Sequence, residues 1–214
     1  MFKYLTVRSF REFAANTSKY TLQNVSARRQ LHTTQIPWRD THNRTFPMVY
    51  YYQNPLDWLK IKWQLLKLKK WDRDFNENDF FVGSTYAISS VTHKIRLESY
   101  NELEGLLTPI ALSKLKRDIL VLWNDDILRN IALKLTDIKL AVPTKVQLRS
   151  VPLSPAKLCD IDMWYMAMKW QDPSNTALLI IDVVARFNRD FNHPDWTISF
   201  FELRKYHVQN YNQL

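Results

Sequence analysis

The spacing of apolar residues changes partway along the chain, from the period of a helix to the period of a strand. Between about residues 54 and 132, apolar side chains recur three or four positions apart, as they do in amphipathic helices. Beyond residue 133 they alternate with polar side chains, as they do in half-buried strands. Helices followed by strands predict an α+β domain, with the helices packed on one face of an antiparallel sheet.

Local signals predict the start of the first helix. Asn54 can cap a helix end, Pro55 fits the first helical position, and Asp57 lies in the first turn, where the helix dipole favours an anion. Apolar residues and lysines then continue without a break. We therefore predict a helix over residues 54–72.

Similar signals predict the helices that follow. Asn76 can cap a helix over residues 80–97, and residues 98–107 are predicted to form a short connecting helix. Thr108 can cap a further helix, which the apolar period extends to about residue 132.

The second half of the chain predicts a sheet. Pro-containing or Asp, Asn and Ser turns separate the segments with strand-like alternation, which are residues 133–142, 145–151, 158–171, 176–187 and 196–207. The segments are long, so we expect a curved antiparallel sheet of four or five strands. Such a sheet can wrap a helix and form a cone with a hollow mouth.

The first 38 residues differ in composition from the rest. They are rich in Ser and Thr and have Glu12 as their one acidic residue, among the basic residues Lys3, Arg8, Arg11, Lys19, Arg28 and Arg29. This composition is typical of a mitochondrial presequence, although a disordered basic tail can share it. We predict a presequence over residues 1–38, a linker over 39–53, a single domain over 54–208 and a tail over 209–214.

The presequence changes the interpretation of the charge. The chain carries 30 basic and 21 acidic residues, a net charge of +9. Residues 1–38 hold six of the basic residues and one of the acidic ones, so the remainder carries 24 and 20, a net of +4. The basic pI is therefore weak evidence for nucleic-acid binding, and we expect no DNA partner.

The sequence excludes several common kinds of site. Two glycines, Gly83 and Gly105, cannot build a phosphate-binding loop or a dinucleotide fingerprint. Cys159 is the single cysteine, so neither a disulfide framework nor a thiolate zinc site can form. The five histidines lack metal-binding spacing. We therefore expect no catalytic residues, no metal and no cofactor.

The predicted helix over residues 54–72 is the best candidate for a functional surface. A basic helix that carries tryptophans can lie at a membrane interface, with its rings at headgroup depth and its lysines near anionic lipid. The apolar residues also spread around much of the helix, which is typical of a helix buried in a core. The candidate membrane- or partner-facing residues are Trp58, Lys62, Trp63, Lys67, Lys69 and Lys70.

Three acidic residues in predicted strands raise an alternative. Asp160, Asp162 and Asp182 are acid–base catalysts if a cone pocket encloses them, because burial raises a carboxyl pKa toward the working pH. On an exposed sheet face or edge, the same charges only discourage aggregation. An alternative function is therefore that of an enzyme that acts on a small molecule bound in the cone pocket.

Four segments in colinear order carry a resemblance to a known family. They are Asn54-Pro55-Leu56-Asp57-Trp58, Trp71-Asp72-Arg73-Asp74-Phe75, Glu98-Ser99-Tyr100-Asn101-Glu102-Leu103-Glu104-Gly105-Leu106-Leu107 and His193-Pro194-Asp195-Trp196-Thr197-Ile198. Together they resemble the m-AAA protease-interacting protein family of the mitochondrial matrix, over roughly residues 50–205. That family resembles the C-terminal domain of the import-motor anchor of the inner-membrane translocase, whose cone-shaped α+β fold is similar to nuclear transport factor 2.

The resemblance implies a binding role and a location. It implies a matrix adaptor, peripheral to the inner membrane, that binds the m-AAA protease. The adaptor would assist the sorting, maturation and protection of the small single-span regulator of the calcium uniporter. An anionic lipid surface is a further expected contact. The alternative within the same fold is a membrane-associated adaptor of the large subunit of the mitochondrial ribosome or of the import motor.

Overall fold

The structure is a computed structural model that describes residues 46–47, 49, 51–150, 157–171, 177–191 and 195–210. The predicted presequence lies outside these residues, as do most of the predicted linker and residues 211–214. The described part holds a helical region followed by a sheet, in the order that the sequence predicts.

The helices precede all of the strands. In chain order they are α1 (Pro55–Trp71), α2 (Glu77–Arg96), a 3₁₀ helix (Tyr100–Leu103), α3 (Pro109–Leu122) and α4 (Asp125–Asn130). The predicted caps are confirmed, because the side chains of Asn54, Asn76 and Thr108 accept hydrogen bonds from backbone amides of α1, α2 and α3. The predicted connecting helix is limited to the 3₁₀ turn. None of the helices in the described ranges is long and apolar enough to cross a membrane.

The prediction of one continuous helix over residues 108–132 is wrong. The helix ends at Leu122, and Trp123 adopts an extended backbone conformation. Asn124 then caps α4, where its Oδ1 accepts a hydrogen bond from Ile127 N at 2.9 Å. Asn competes for backbone hydrogen bonds in this way, so it favours a helix start over a helix interior. The apolar period continues across the break and conceals it.

The four strands form one antiparallel sheet in the order β1-β2-β3-β4, which confirms the α+β class. They are β1 (Ile138–Ser150), β2 (Lys157–Trp170), β3 (Ala177–Asp190) and β4 (Thr197–Asn210). The first two predicted strand segments are one strand, β1, with a register irregularity between Pro143 and Lys145. An edge strand tolerates a proline because one side of it donates no ladder hydrogen bonds. Strand β1 also begins later than predicted, at Ile138.

One face of the sheet, the inner face, packs against the helices. Alternate residues of β2 are buried there, from Cys159 through Ile161, Met163 and Tyr165 to Ala167. Alternate residues of β3 join them, as do apolar side chains of α1, α2 and α3. Helix α1 packs against β1 and α3 against β4, so these two helices lie over opposite edges of the sheet.

The opposite, outer face carries the other alternate residues, among them Asp160, Asp162 and Trp164. Described residues of the predicted linker contact this face. The ring of Phe46 stacks on Trp170 with centroids 5.6 Å apart, and the ring of Tyr51 lies 5.2 Å from that of Trp164.

Candidate partner-binding surface

Helix α1 is defined at both ends by its own sequence. Asn54 Oδ1 accepts a hydrogen bond from Leu56 N at 3.0 Å, and Pro55 occupies the first turn, where no amide donor is needed. At the other end, Asp72 N donates to Leu68 O at 2.8 Å. These bounds confirm the predicted helix and place its candidate site residues on a regular surface.

One stripe of α1 faces the core. Ile61, Leu65 and Leu68 are buried and join the same cluster as the inner face of the sheet. Their spacing of four and then three residues keeps them on one side of the helix. The alternative that α1 packs wholly in the core therefore applies to this side of the helix only.

A second apolar stripe of α1 points away from the core. The outward stripe consists of Leu56, Leu59, Trp63 and Leu66, whose side chains are 66%, 59%, 60% and 59% exposed. At 100° per residue, these four positions fall within about 80° of one another, on the side opposite the buried stripe. Four large apolar side chains that share one exposed side mark an interaction surface, because single exposed apolar residues are common but grouped ones are not.

Exposed lysines border this outward stripe. Lys60 and Lys67 lie along one side of the stripe. Lys70 lies in line with the stripe itself, two helical turns beyond Trp63. Lys69 lies on the other side and is also exposed. Lys67 Nζ lies 5.6 Å from the centroid of the Trp63 ring, which places a cation over an exposed aromatic face.

Two of the predicted site residues are less exposed than the members of this stripe. Trp58 is half-buried. Lys62 is half-buried as well, and its Nζ lies 2.5 Å from Glu77 Oε1 in α2. The Lys62 charge is therefore compensated within the chain, and this side chain joins α1 to α2. The structure groups Trp63, Lys67 and Lys70 on the outward side, places Lys62 and Lys69 at the border of that side, and leaves Trp58 near the packed side.

Sequence reasoning missed four members of the surface. The sequence pattern predicts Leu56, Leu59, Leu66 and Lys60 as helix residues but does not distinguish them from the rest of the helix. A helical projection of α1 shows two apolar stripes on opposite sides. The projection does not say which stripe meets the sheet. The sequence therefore shows both stripes but does not indicate which of them is exposed.

The acidic residues of the alternative enzyme hypothesis lie on the outer face of the sheet, among partners. Asp160 is 5% exposed; its Oδ1 accepts from Asn188 Nδ2 at 2.6 Å and its Oδ2 pairs with Arg149. Asp162 accepts two hydrogen bonds from Arg186, from Nε at 2.6 Å and from Nη2 at 3.0 Å. Both carboxylates are therefore already engaged by side chains of the neighbouring strands and do not face an open pocket through these oxygens.

Asp182 differs from the other two. It lies opposite Met166 of β2 and Lys205 of β4, and its Oδ1 is buried without a hydrogen-bond partner in the described part of the chain. Burial raises the pKa of the Asp182 carboxyl, and the charge of Lys205 opposes that rise. The residue therefore carries a desolvation cost that its neighbours relieve only in part.

Residues with nucleophilic or metal-binding chemistry are isolated within the described ranges. Cys159 is buried on the inner face, and burial, followed by the charge of Asp160, raises the pKa of its thiol to about 12, although Arg189 opposes the rise. His93 is exposed, with Nδ1 3.0 Å from Ser89 O. Among the residues that the structure describes, no cluster of His, Cys, Asp or Glu could hold a metal ion.

Comparisons with known proteins leave the family open. No protein-family model matches the sequence, and no curated protein matches it significantly. The resemblance to the m-AAA protease-interacting proteins therefore stays a prediction, and the outward stripe of α1 is the feature from which a function can be argued.

Proposed function

We propose that this protein is a matrix adaptor, peripheral to the inner mitochondrial membrane, with a cone-like fold similar to nuclear transport factor 2. It binds the m-AAA protease and assists the sorting, maturation and protection of the small single-span regulator of the calcium uniporter. Its function is binding rather than catalysis. The helices-then-strands order supports the proposal, as do the four colinear motifs that resemble the family.

The observation that carries the proposal is the outward stripe of α1. Water surrounds Leu59, Trp63 and Leu66 in the isolated chain, and covering them by a partner or a lipid surface is favourable by about 25 cal/mol per Å² of apolar area. The neighbouring lysines suit a surface that is negatively charged. An inner-membrane protein surrounded by anionic lipid presents both features, apolar area and negative charge.

The acidic residues do not support the enzyme alternative. Asp160 and Asp162 are held in ion pairs on the outer face, away from the helix-covered inner face. Asp182 lies on that outer face too, beside Met166 and Lys205. A binding role uses the exposed surface that the fold does present.

Recovery of partners from mitochondria tests the proposal. Tagged full-length protein is isolated after gentle solubilisation, together with a stripe variant, Leu59→Ser with Leu66→Ser. We expect the wild type to recover the protease and the uniporter regulator, and the stripe variant to recover much less of both. The matched control is Val82→Ser with Leu97→Ser, which removes two exposed apolar side chains elsewhere.

Other outcomes contradict specific parts of the proposal. Ribosomal or import-motor proteins in place of the protease would favour the alternative adaptor of the same fold. Equal recovery by the folded stripe variant would remove α1 as the binding surface.

Flotation with cardiolipin-containing vesicles tests the lipid contact. Reversal of Lys67 and Lys70 to glutamate should weaken binding, since each lysine near an anionic surface contributes roughly 1 kcal/mol. Reversal of the exposed Lys134 and Lys145 makes the same change in net charge on other elements and is the control. Equal loss in both variants would mean that total charge, not α1, governs binding.

A further inference from the structure

Helix α3 carries a second exposed apolar surface. Ile110, Leu120 and Val121 are 82%, 85% and 73% exposed, although the opposite side of α3 is buried in the core through residues such as Leu115 and Ile119. Ile110 and Val121 lie on nearly the same side of the helix, about 16 Å apart along its axis. Leu120 lies beside Val121.

A positive charge lies between the two apolar ends of this surface. Arg117 points to the same side as Ile110 and Val121, and its side chain is largely exposed. Lys116 is exposed nearby. The acidic residue of this helix segment, Asp118, is mostly buried, and its Oδ2 binds Lys114 at 2.5 Å. Its Oδ1 lies 3.9 Å from Arg117 Nε, a long contact that leaves the Arg117 side chain 71% exposed. The α3 surface, defined by Ile110, Arg117, Leu120 and Val121, is thus apolar at both ends and positive in the middle.

The charge pattern argues against a second copy of this chain as the occupant. Two α3 helices packed antiparallel about a two-fold axis would match Ile110 of each copy with Val121 of the other. The same arrangement would bring the two Arg117 residues within about 5 Å of one another, measured along the helix axes. Like charges held that close oppose association.

The position of α3 separates its surface from that of α1. Helix α1 packs against β1 and α3 packs against β4, at opposite edges of the sheet. An adaptor that occupies α1 with one partner therefore keeps α3 available for another.

We propose that the α3 surface binds an amphipathic helix of a protein partner, one with apolar residues about three turns apart and an acidic residue between them. The acidic residue meets Arg117, and the apolar residues cover Ile110 at one end and Leu120 with Val121 at the other. This inference rests on the proposed adaptor function and adds a second partner surface to it.

A charge exchange in defined peptides tests the proposal. The probe is a fluorescein-labelled helical peptide of about 18 residues, long enough to span α3, with leucines at both ends of one face and a glutamate midway. A second peptide carries lysine in place of the glutamate. Fluorescence anisotropy with the full-length protein measures both, and CD spectra confirm that each variant is folded.

We expect the glutamate peptide to bind wild type about fivefold more tightly than the lysine peptide, and Arg117→Glu to reverse that preference. The double variant Leu120→Ser with Val121→Ser should bind the glutamate peptide much more weakly than wild type does. The α1 variant Leu59→Ser with Leu66→Ser should bind it as wild type does. Absence of glutamate-peptide binding, or equal binding of both peptides, overturns the proposal.

Vesicle flotation of the same variants tests whether the α3 surface contacts a protein or a membrane. If Leu120→Ser with Val121→Ser reduces binding to cardiolipin-containing vesicles, the α3 surface contacts lipid and the proposal of a protein helix is wrong. Unchanged vesicle binding, with peptide binding lost, supports it. The α1 stripe variants report on the adaptor function, so its failure is seen independently of α3.

Discussion

Arg189 of β3 donates from Nη1 to Asp72 Oδ2 at 2.6 Å and so joins the C-terminal end of α1 to the sheet. Both side chains are mostly buried, and the Arg189 guanidinium also lies 5.8 Å from the centroid of the Trp196 ring. The contact spans 117 positions of sequence, so it depends entirely on the tertiary fold. It adds a polar contact between α1 and the sheet to the apolar packing of Ile61, Leu65 and Leu68.

Mutation of this pair should show strong coupling. A double-mutant cycle with Asp72→Asn and Arg189→Gln is expected to give a coupling free energy of about 2 kcal/mol in urea unfolding, because loss of either partner leaves the other desolvated. The exposed pair of Asp57 and Lys60, 3.4 Å apart, is the control and should give about 0.3 kcal/mol. Equal coupling in both pairs would contradict the burial of the Arg189 pair.

Truncation of the two leucines near the end of α1 should lower the free energy of unfolding by very different amounts. Leu68→Ala removes a fully buried side chain and should lower the free energy of unfolding by about 3 kcal/mol. Leu66→Ala changes the outward stripe and should lower it by less than about 0.5 kcal/mol. Chemical unfolding measures both, and similar losses would mean that the outward stripe is covered by the rest of the chain.

Asp182→Asn should stabilise the protein at neutral pH. The folded-state pKa of Asp182 is raised, so ionisation costs more in the folded than in the unfolded chain. Its contribution to stability is therefore fully present below the unfolded pKa and is lost as the pH rises through the folded pKa. The variant should melt higher than wild type at pH 7, and the gap should close as the pH falls below about 4.

A matched asparagine substitution provides the control for Asp182. Asp162→Asn weakens the two-point contact with Arg186 and should lower the melting temperature at pH 7. If both substitutions destabilise equally, Asp182 has a partner that offsets its desolvation.

The single cysteine should be unreactive in the folded protein. Cys159 is fully buried, and its thiol pKa of about 12 leaves almost no thiolate at pH 8. A colorimetric disulfide reagent should label it only after denaturation. An introduced thiol at an exposed position, Ser113→Cys, is the positive control. Rapid labelling of native wild type would show that the inner face opens readily to solvent.

Where the helices begin could be predicted from sequence because capping is a local interaction. Asn54, Asn76 and Thr108 each bind an amide two or three residues away, so the signal and its partner lie in one short segment. The interruption after Leu122 was missed because apolar residues recur on both sides of it. Asn124, a good cap, was the available signal.

Whether the residues around Pro143 form one strand or two depends on where that strand lies in the sheet. Pro143 suggested a break between two strands, since a proline removes a ladder hydrogen bond from a central strand. Strand β1 lies at the edge, so it passes through Pro143 with only a register irregularity. Whether a strand lies at the edge or in the centre of the sheet is decided when the sheet assembles, and the residues near Pro143 do not encode that position.

By itself, the sequence determined the α+β class, the helix caps and the candidate helix α1, because periodicity and capping act over a few residues. The tertiary structure decided which apolar stripe of α1 is buried, that Lys62 is paired with Glu77, and that Asp160 and Asp162 are held by arginines on the outer face. A helix with two apolar sides can pack through either. The choice depends on which side fits the sheet, and that fit involves residues far apart in the chain.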